Sequence, residues 1–239
     1  MTGETLFISD CHLDSGRPDI TQALSEFLGR RAARADCLYI LGDLFEVWLG
    51  DDDPVEAQQP VVDALRSLAK RIPVYFIAGN RDFLLGSEFA GSVGLQLLDE
   101  PRVLQLDRHR VLLIHGDTLC TDDHDYQRFR ALVRSPEWQA EFLARPLAER
   151  RQIAAQLRSE SAGAMAQKAA EIMDVNLQAV ESCFRENGVD TIIHGHTHRP
   201  AVHRYPGDLT RYVLGDWNPG PSFLCWHPDR GFDLRDPRV

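Results

Sequence analysis

The chain has 239 residues, of which 44% are hydrophobic and 26% charged, a composition typical of one globular domain. Its formal net charge of −10 argues against a general nucleic-acid binder, for which a basic surface is expected. We expect neither a membrane-spanning helix nor a secretory signal, because long apolar runs and a basic-then-apolar N-terminus are missing, and the five scattered cysteines fit reduced thiols in the cytoplasm.

Short apolar segments with strand character occur along the chain, and each runs directly into a polar loop. They are residues 5–9, 37–41, 73–78, 111–115 and 191–194. Helical patterns at 20–33 and 55–70 separate the first three. This alternation predicts an α/β core with its chemistry at the strand ends. The segments AVHRY, TRYVL, SFLCWH and GFDLR, after residue 195, are predicted to be antiparallel strands that close a second sheet.

Residues 124–187 interrupt the alternation with a long stretch rich in helix-forming residues. Pro136 and Pro146 are predicted to divide it into shorter helices. We interpret the segment as a helical cap inserted within a single domain that spans residues 1–239. An ordinary helical layer on the sheet is the alternative that the pattern leaves open.

Residues with oxygen or imidazole donors follow the five predicted strands. The segments are DCH at 10–12, GDLFE at 42–46, GNRD at 79–82, HGD at 115–117 and HGHTH at 194–198. Asp10 and His12 are two residues apart in an extended segment, so both side chains can face one ion. A single aspartate or histidine at a strand end is more often a turn residue or a satisfied polar group. Five such loops in one chain predict a metal site.

This set of motifs resembles the calcineurin-like metallophosphoesterase superfamily, in which D-x-H, G-D-x-x-[DE], G-N-x-[DE], a histidine–glycine turn and G-H-x-H occur in the same order. The resemblance implies a four-layer α/β/β/α sandwich and two divalent metal ions that activate water and clamp phosphoryl oxygens. Donors of oxygen and imidazole without thiolate favour Mn²⁺. The implied ligands are Asp10, His12 and His198 for one ion, Asn80, His115 and His196 for the other, and Asp43 as the bridge.

One position departs from the pattern of many members of the superfamily, which have histidine after the asparagine to protonate an alkoxide leaving group. Here the residue is Arg81, whose guanidinium gives up no proton at working pH. A leaving group that needs no proton is therefore indicated, such as a phosphate with a second pKa of about 6. Arg81 would stabilise its negative charge. A purely structural pairing of Arg81 with Asp82 or Glu46 is the alternative.

Longer segments narrow the resemblance. ISDCHL, LGDLFEVWLGDD, GNRDFLLG, HGDTLCTDDHDYQRFR, IMDVN and IIHGHTHRP together resemble the UDP-2,3-diacylglucosamine hydrolase family, the pyrophosphatases of lipid A biosynthesis. This implies hydrolysis of a nucleotide-lipid diphosphate to UMP and 2,3-diacylglucosamine 1-phosphate, with water attacking the phosphorus on the uridine side. Two alternatives are a phosphatase or phosphodiesterase on the same scaffold, acting on nucleotides or nucleic acid, and a non-catalytic scaffold with this fold.

The same resemblance implies that the cap holds the acyl chains and the glucosamine. Asn80, Arg81 and His196 are the expected catalytic residues and contact the phosphate. Met165 stands where some relatives have a second lysine, so more of the contact would fall on Lys168. The expected substrate contacts are Asp123, directly before the cap segment, and Ser161, Met165 and Lys168 within it.

The cap segment is also locally basic. Residues 126–158 contain seven arginines and three glutamates, a net charge of +4 within a chain of −10. Together with apolar neighbours, this predicts contact with an anionic membrane surface and a peripheral location on the cytoplasmic face of the inner membrane. A solvated helix face is the alternative. We expect no nucleic-acid partner and no obligate protein partner.

Overall fold

The strands of the chain lie in two sheets. The computed structural model describes residues 3–165 and 174–239, with side chains for residues 3–158 and 174–239. The strands of these ranges are β1 (Thr5–Ile8), β2 (Cys37–Leu41), β3 (Val74–Ile77), β4 (Leu95–Leu97), β5 (Arg102–Leu106), β6 (His109–Leu113), β7 (Thr191–His194), β8 (Ala201–Tyr205), β9 (Leu209–Val213), β10 (Phe223–His227) and β11 (Gly231–Arg235).

The helices occupy the connections between these strands. They are α1 (Pro18–Glu26), α2 (Gln59–Ala69), α3 (Ser87–Val93), α4 (His124–Val133), α5 (Pro136–Leu143), α6 (Leu147–Met165) and α7 (Leu177–Asn187). A π turn and a 3-10 turn extend α1 as far as Arg34, so the helical prediction for residues 20–33 is confirmed. Within the described ranges, no helix combines the length and the apolar character needed to cross a membrane.

The first sheet has the order β11-β10-β1-β2-β3-β4. Strands β1 to β4 run parallel, and helical connections carry the chain from each strand to the next. The edge beside β1 is antiparallel, because β10 pairs with β1 and places Cys225 opposite Leu6. The carboxyl ends of three parallel strands, β1 to β3, therefore meet at one edge of this sheet.

The second sheet has the order β5-β6-β7-β9-β8. Strand β7 runs parallel to both β6 and β9, and β8 pairs antiparallel with β9. The prediction that all four segments after residue 195 close this sheet is therefore wrong for β10 and β11, which extend the first sheet. An apolar pattern of period two shows which face of a strand is buried, but it does not specify the partner strand.

Alternate residues of the strands fill different layers of the core. In β1, Leu6 and Ile8 pack towards α1 and α2, whereas Phe7 packs between the two sheets. In β7, Ile193 faces the same inter-sheet layer, and Ile192 faces the far side. Helix α7 covers that far side with Val180 and Phe184. The layers thus follow the order α/β/β/α, and the predicted four-layer sandwich is confirmed.

The helical segment at 124–187 is divided as its prolines predict. Pro136 is the first residue of α5, and Pro146 directly precedes α6. Phe142 of α5 is buried, and Leu147 and Ile153 of α6 pack against the core on the helical side of the first sheet. Helix α7 forms the outer layer of the second sheet. The part of this segment beside the strand-end loops therefore consists of α4, α5 and α6.

Candidate metal centre

The predicted ligands come from loops that follow parallel strands. Asp10 lies two residues after β1, Asp43 two after β2 and Asn80 three after β3. His115 and His196 each lie two residues after β6 and β7 of the other sheet. The Nδ1 of His115 lies 2.9 Å from the carbonyl oxygen of Leu41, at the end of β2. The two sheets therefore bring their carboxyl ends together at one site.

The first group of donor atoms is formed by Asp10, His12 and His198, all within 4.8 Å of one another. The Nε2 atoms of the two histidines are 3.0 Å apart. The Oδ1 of Asp10 lies 3.3 Å from Nε2 of His198 and 3.8 Å from Nε2 of His12. Two imidazole nitrogens and a carboxylate that converge in this way form a site suited to one divalent cation.

A second group is formed by Asp10, Asp43 and His115, again within 4.8 Å. Asp43 lies between the two groups, because its oxygens are 3.7 Å from Nε2 of His12 and 3.7 Å from Nε2 of His115. The Oδ1 of Asn80 lies 2.8 Å from Nε2 of His115 and 2.9 Å from Nδ1 of His196. The structure thus brings together all seven predicted ligands, with Asp43 in the position of the predicted bridge.

The ring orientations of two histidines suit a metal. Nδ1 of His12 lies 2.9 Å from Oε2 of Glu46, and Nδ1 of His115 faces the carbonyl of Leu41. A backbone carbonyl only accepts hydrogen bonds, so Nδ1 of His115 donates, and an ionised Glu46 imposes the same tautomer on His12. In the neutral form of both rings, which metal binding requires, the lone pair of Nε2 then points towards the site. A carboxylate or carbonyl behind a histidine is the usual support of a metal-binding imidazole.

Five of the predicted ligands have left-handed backbone conformations that residues other than glycine rarely adopt. The φ angles are 52° for Asp10, 48° for His12, 52° for Asp43, 67° for His196 and 53° for His198. Each such residue costs roughly 1–3 kcal/mol unless its surroundings impose it. The surrounding loops therefore hold these side chains in place at the expense of local stability, as is common in binding and catalytic sites.

Two glycines of the motifs are explained by the approach of these carboxylates. A Cβ atom at Gly79 would overlap the Oδ1 of Asp43, and a Cβ atom at Gly195 would overlap the Oδ2 of Asp10. The backbone N–H of His196 donates to the same Asp10 oxygen at 3.0 Å. Glycine at both positions thus lets the ligand carboxylates lie directly against the neighbouring loops.

The charges of the site depend on one another. Burial lowers the pKa of His115, but the carboxylates of Asp43 and Asp10 outweigh it and raise that pKa to about 9. Burial and the adjacent His115 lower the pKa of His196 to about 4. Burial raises the pKa of Asp10, but its contacts with His198 and His115 bring it below the ordinary value. Buried acids here need positive partners, and divalent cations are partners of that kind.

Several supporting residues were not predicted as part of the site. Asp117 of the fourth motif is fully buried and accepts hydrogen bonds from Tyr126 and from Nε of Arg130, both at 2.7 Å. Nη2 of Arg130 also lies 3.3 Å from Glu100, whose other oxygen accepts the N–H of His115 at 2.6 Å. The ring of Tyr126 lies 5.9 Å from that of His196. Helix α4 is thereby connected to the metal-binding loops after β6 and β7.

Arg81 lies at the mouth of the site. Its Nη1 is 3.4 Å from Oε1 of Glu46, and its side chain remains about one-third exposed. Asp82 does not pair with it, because that carboxylate is fully buried and accepts backbone N–H groups. The pairing with Glu46 weighed above is thus present, and it leaves the guanidinium beside the open groove that also contacts His12 and His198.

The predicted substrate contacts in the helical segment have different outcomes. Asp123 caps α4 by accepting the N–H of Tyr126 at 3.0 Å. Ser161 and Met165 lie on the last turns of α6, and their side chains fall outside the described residues, as does the whole of Lys168. These contacts remain predictions.

Comparison with known proteins agrees with this geometry. Residues 4–200 match the family model described as calcineurin-like phosphoesterase. A protein of Chromohalobacter salexigens named UDP-2,3-diacylglucosamine hydrolase is 52% identical over 97% of this chain and 92% of its own length. A protein of the same name from Escherichia coli O7:K1 is 51% identical over 92% and 93%.

Among solved structures, Vacuolar Protein Sorting 29 from Cryptosporidium parvum shares the fold, with a TM-score of 0.50 and 14% identity over 97% of this chain and 95% of that one. A likeness at this identity concerns the fold alone. The sequence relatives are far more similar, and they cover nearly all of the chain. The chain therefore belongs to the calcineurin-like phosphoesterase family and, within it, to the family of the UDP-2,3-diacylglucosamine hydrolases.

Proposed function

We propose that this chain hydrolyses the diphosphate of UDP-2,3-diacylglucosamine, releasing UMP and 2,3-diacylglucosamine 1-phosphate, a step of lipid A biosynthesis. The names of relatives at about half identity support this substrate. The observation that carries the chemistry is a complete set of oxygen and imidazole donors with Arg81, rather than a histidine, at its mouth. A non-catalytic scaffold would have no need of all seven donors or of the left-handed backbone at five of them.

The residues present fit two divalent cations, for which we propose Mn²⁺. Asp10, His12 and His198 would hold one, and the group around Asn80, His115 and His196 the other, with Asp43 shared. All of these donors are oxygen or nitrogen, and Cys11 turns its Sγ towards the carbonyl of Ser9 at 3.8 Å. Such donors suit Mn²⁺ better than a thiophilic ion. When bound, the cations supply activation of water and polarisation of phosphoryl oxygens.

Side chains of this protein then contact the diphosphate directly. Asn80 and His196 lie beside each other at the second group of donors, where they can contact the phosphate that is attacked. Arg81 stays charged and donates to the departing phosphomonoester, which needs no proton at neutral pH. Glu46 contacts both Arg81 and His12, so it aligns the guanidinium with the first group of donors. Preorganised hydrogen-bond donors such as the Arg81 guanidinium stabilise the negative charge that develops in the transition state.

We propose that the lipid half of the substrate lies against α4, α5 and α6. Trp138 packs near Phe83 with ring centroids 6.3 Å apart, and α4 exposes Phe129 and Leu132. Such side chains can cover acyl chains, whose burial contributes about 0.8 kcal/mol per CH₂. Asp123, Ser161, Met165 and Lys168 are the proposed contacts for the sugar and its phosphate. The cap role proposed for this segment depends on these contacts.

Peripheral contact with the cytoplasmic face of the inner membrane is also a proposal. The basic charge of residues 126–158 supports it only weakly, because Arg130, Arg150 and Arg151 pair with acids of the same chain. Exposed apolar side chains support membrane contact better, since the side chain of Leu132 in α4 is 57% exposed and that of Leu143 in α5 is 41% exposed. Apolar side chains on amphipathic helices insert into the interface of a bilayer.

The substrate assignment can be tested with purified, Mn²⁺-loaded protein. We would measure KM for UDP-2,3-diacylglucosamine, for analogues with shorter acyl chains and for the UDP-sugar without acyl chains. KM should rise stepwise as the chains shorten, because each methylene group lost removes apolar burial. Equal KM values for the acylated and the bare substrate would contradict the lipid assignment.

A further inference from the structure

The open groove at the metal centre extends well beyond the predicted ligands. It has a volume of about 380 Å³ and begins at Asp10, His12, His198 and Arg81. Its continuation, here called the outer groove, is lined by Asp14, Arg17, Ile20, Asp216, Trp217 and Asn218. Among the described residues, none of its lining belongs to α4, α5 or α6. The groove therefore leaves the metal centre on the side of α1 and of the loop after β9.

The opposite side of the metal centre is bordered by α4. Tyr126 lies against His196, and Nη2 of Arg134 donates to the carbonyl of Gly79 at 2.9 Å. The proposed function places the lipid half of the substrate on that side. A diphosphate held at the cations has two substituents that point in different directions. The outer groove is the continuation of the site on the side away from α4, where the second substituent, the nucleoside, has room.

The outer groove has the size and the chemistry of a nucleoside site. The whole groove, with the metal centre included, has a volume of about 380 Å³, at the lower end of the range for small-ligand pockets, so its outer part has too little room for two long acyl chains. Its rim offers both kinds of hydrogen-bonding group, since Arg17 carries donors, whereas Asp14 and Asp216 carry acceptors. The floor is apolar, formed by Ile20 and Trp217, both of which are buried.

One detail of the lining indicates capacity for a ligand. Asp14 accepts the N–H of Gly16 at 2.7 Å through Oδ1, so its second oxygen can receive another donor.

We propose that the outer groove binds the uridine half of the substrate, with Asp14 and Asp216 accepting hydrogen bonds from the ribose hydroxyls and Arg17 donating to the carbonyl oxygens of the base. The inference rests on the proposed function, because that function supplies a substrate with a nucleoside on one side and a lipid on the other. It assigns separate binding surfaces to the two products.

Inhibition by each of the two products measures the two proposed binding surfaces separately. The Mn²⁺-loaded protein is assayed on UDP-2,3-diacylglucosamine with added UMP or with added 2,3-diacylglucosamine 1-phosphate. Arg17→Ala and Asp14→Asn should each raise the inhibition constant of UMP about tenfold or more, the effect of one hydrogen bond to a charged group. The inhibition constant of the lipid product should stay within about twofold of wild type. Asp14→Asn retains the oxygen that accepts from Gly16, so the turn is preserved.

Arg66→Ala is the matched control. Arg66 is 39% exposed and pairs with Asp63 at 2.7 Å, much as Arg17 is 40% exposed and pairs with Asp19 at 2.8 Å, but Arg66 lies on α2 outside the groove. An unchanged inhibition constant of UMP in both groove variants, with metal content and melting temperature normal, would overturn the proposal while the proposed function stands. A rise confined to the lipid product would overturn it as well. A wild-type protein that leaves UDP-2,3-diacylglucosamine intact would refute the proposed function itself.

Discussion

The carboxylate of Asp82 accepts the backbone N–H of Leu44 at 2.7 Å and so joins the loop after β2 to the loop after β3. Its other oxygen accepts the N–H groups of Asp43 and Gly79 at 3.2 and 2.8 Å. Asp82 is fully buried. The position of the Asp43 carboxylate between His12 and His115 therefore depends on a residue that touches neither histidine.

Asp82→Ala is expected to lower the free energy of unfolding by on the order of 3 kcal/mol or more, because it leaves several buried N–H groups without an acceptor. Asp82→Asn keeps one acceptor oxygen and should lose less. Urea unfolding followed by circular dichroism measures both changes. Asp63→Ala, at an exposed position on α2, serves as the control. An Asp82→Ala variant as stable as Asp63→Ala would show that the network contributes little.

Asp43→Ala should be the most damaging single change among the ligands, since the two oxygens of Asp43 approach one histidine of each ion site, His12 and His115. Chelation should abolish activity, and Mn²⁺ should restore it better than Zn²⁺ because the donors are oxygen and imidazole. Elemental analysis should find that Asp43→Ala loses both ions, whereas His198→Ala, at one group only, loses about one. Full turnover by the chelated protein would show that the two-metal account is wrong.

The ligand set is the part of the site that the sequence predicts best. Asp10, His12 and Asp43 follow short apolar runs, so their position at strand ends is predicted from the pattern, whereas their roles as ligands were implied by the family resemblance. The support behind them is not predictable in this way. Glu100 and Arg130 meet although 30 residues separate them, and no periodic pattern relates the two positions.

The same limit applies to the fold. Strands β2 and β7 were predicted with their observed bounds, because each is an isolated apolar run that ends in a polar loop. Strand β4 has only three residues, too few to show a period, and it was not predicted. The pairing of β10 with β1 joins the two ends of the chain. Long-range pairing depends on the packing of the whole sheet, which the local pattern does not contain.

Arg81→Ala should lower kcat on the diphosphate by about 10²–10³, the loss observed when one preorganised electrostatic donor is removed, while metal content stays near normal. Arg81→Lys should rescue little, because a point charge does not reproduce a planar guanidinium. Arg81→His should not help the diphosphate, but it should raise the slow hydrolysis of an alkyl diester, whose leaving group needs a proton. The measurement is kcat/KM of each variant on both substrates.

Arg128→Ala removes a positive charge from the exposed surface of α4 and serves as the control for Arg81. It should leave both rates close to wild type. If Arg81→Ala hydrolysed the diphosphate as fast as Arg128→Ala, the contact of Arg81 with Glu46 would be structural. The argument that Arg81 stabilises a leaving group that needs no proton would then lose its support.

Arg150→Ala should raise KM for the acylated substrate about tenfold, because Arg150 fixes α6 to the loop after β2. Its side chain is almost fully buried, donates to Asp52 and Leu49, and lies 3.0 Å from the carbonyl of Arg145. The far end of α6 carries the proposed contacts at Ser161 and Met165. Activity on a small soluble diester should change by no more than about twofold.

The neighbouring Arg151 provides the control for this variant, since it is 55% exposed and forms a single ion pair with Asp53. Arg151→Ala should leave KM for both substrates near wild type. An Arg150→Ala protein that remains folded and binds the acylated substrate normally would show that α6 does not depend on this anchor.

Isotope transfer from water tests the central claim most directly. The Mn²⁺-loaded protein hydrolyses UDP-2,3-diacylglucosamine in water enriched in ¹⁸O, and mass spectrometry locates the label in the two products. Attack on the phosphorus next to uridine, with the lipid phosphomonoester departing beside Arg81, predicts one ¹⁸O atom in UMP and none in 2,3-diacylglucosamine 1-phosphate. Label in the lipid product, or no cleavage of this substrate by the metal-loaded protein, would contradict the account.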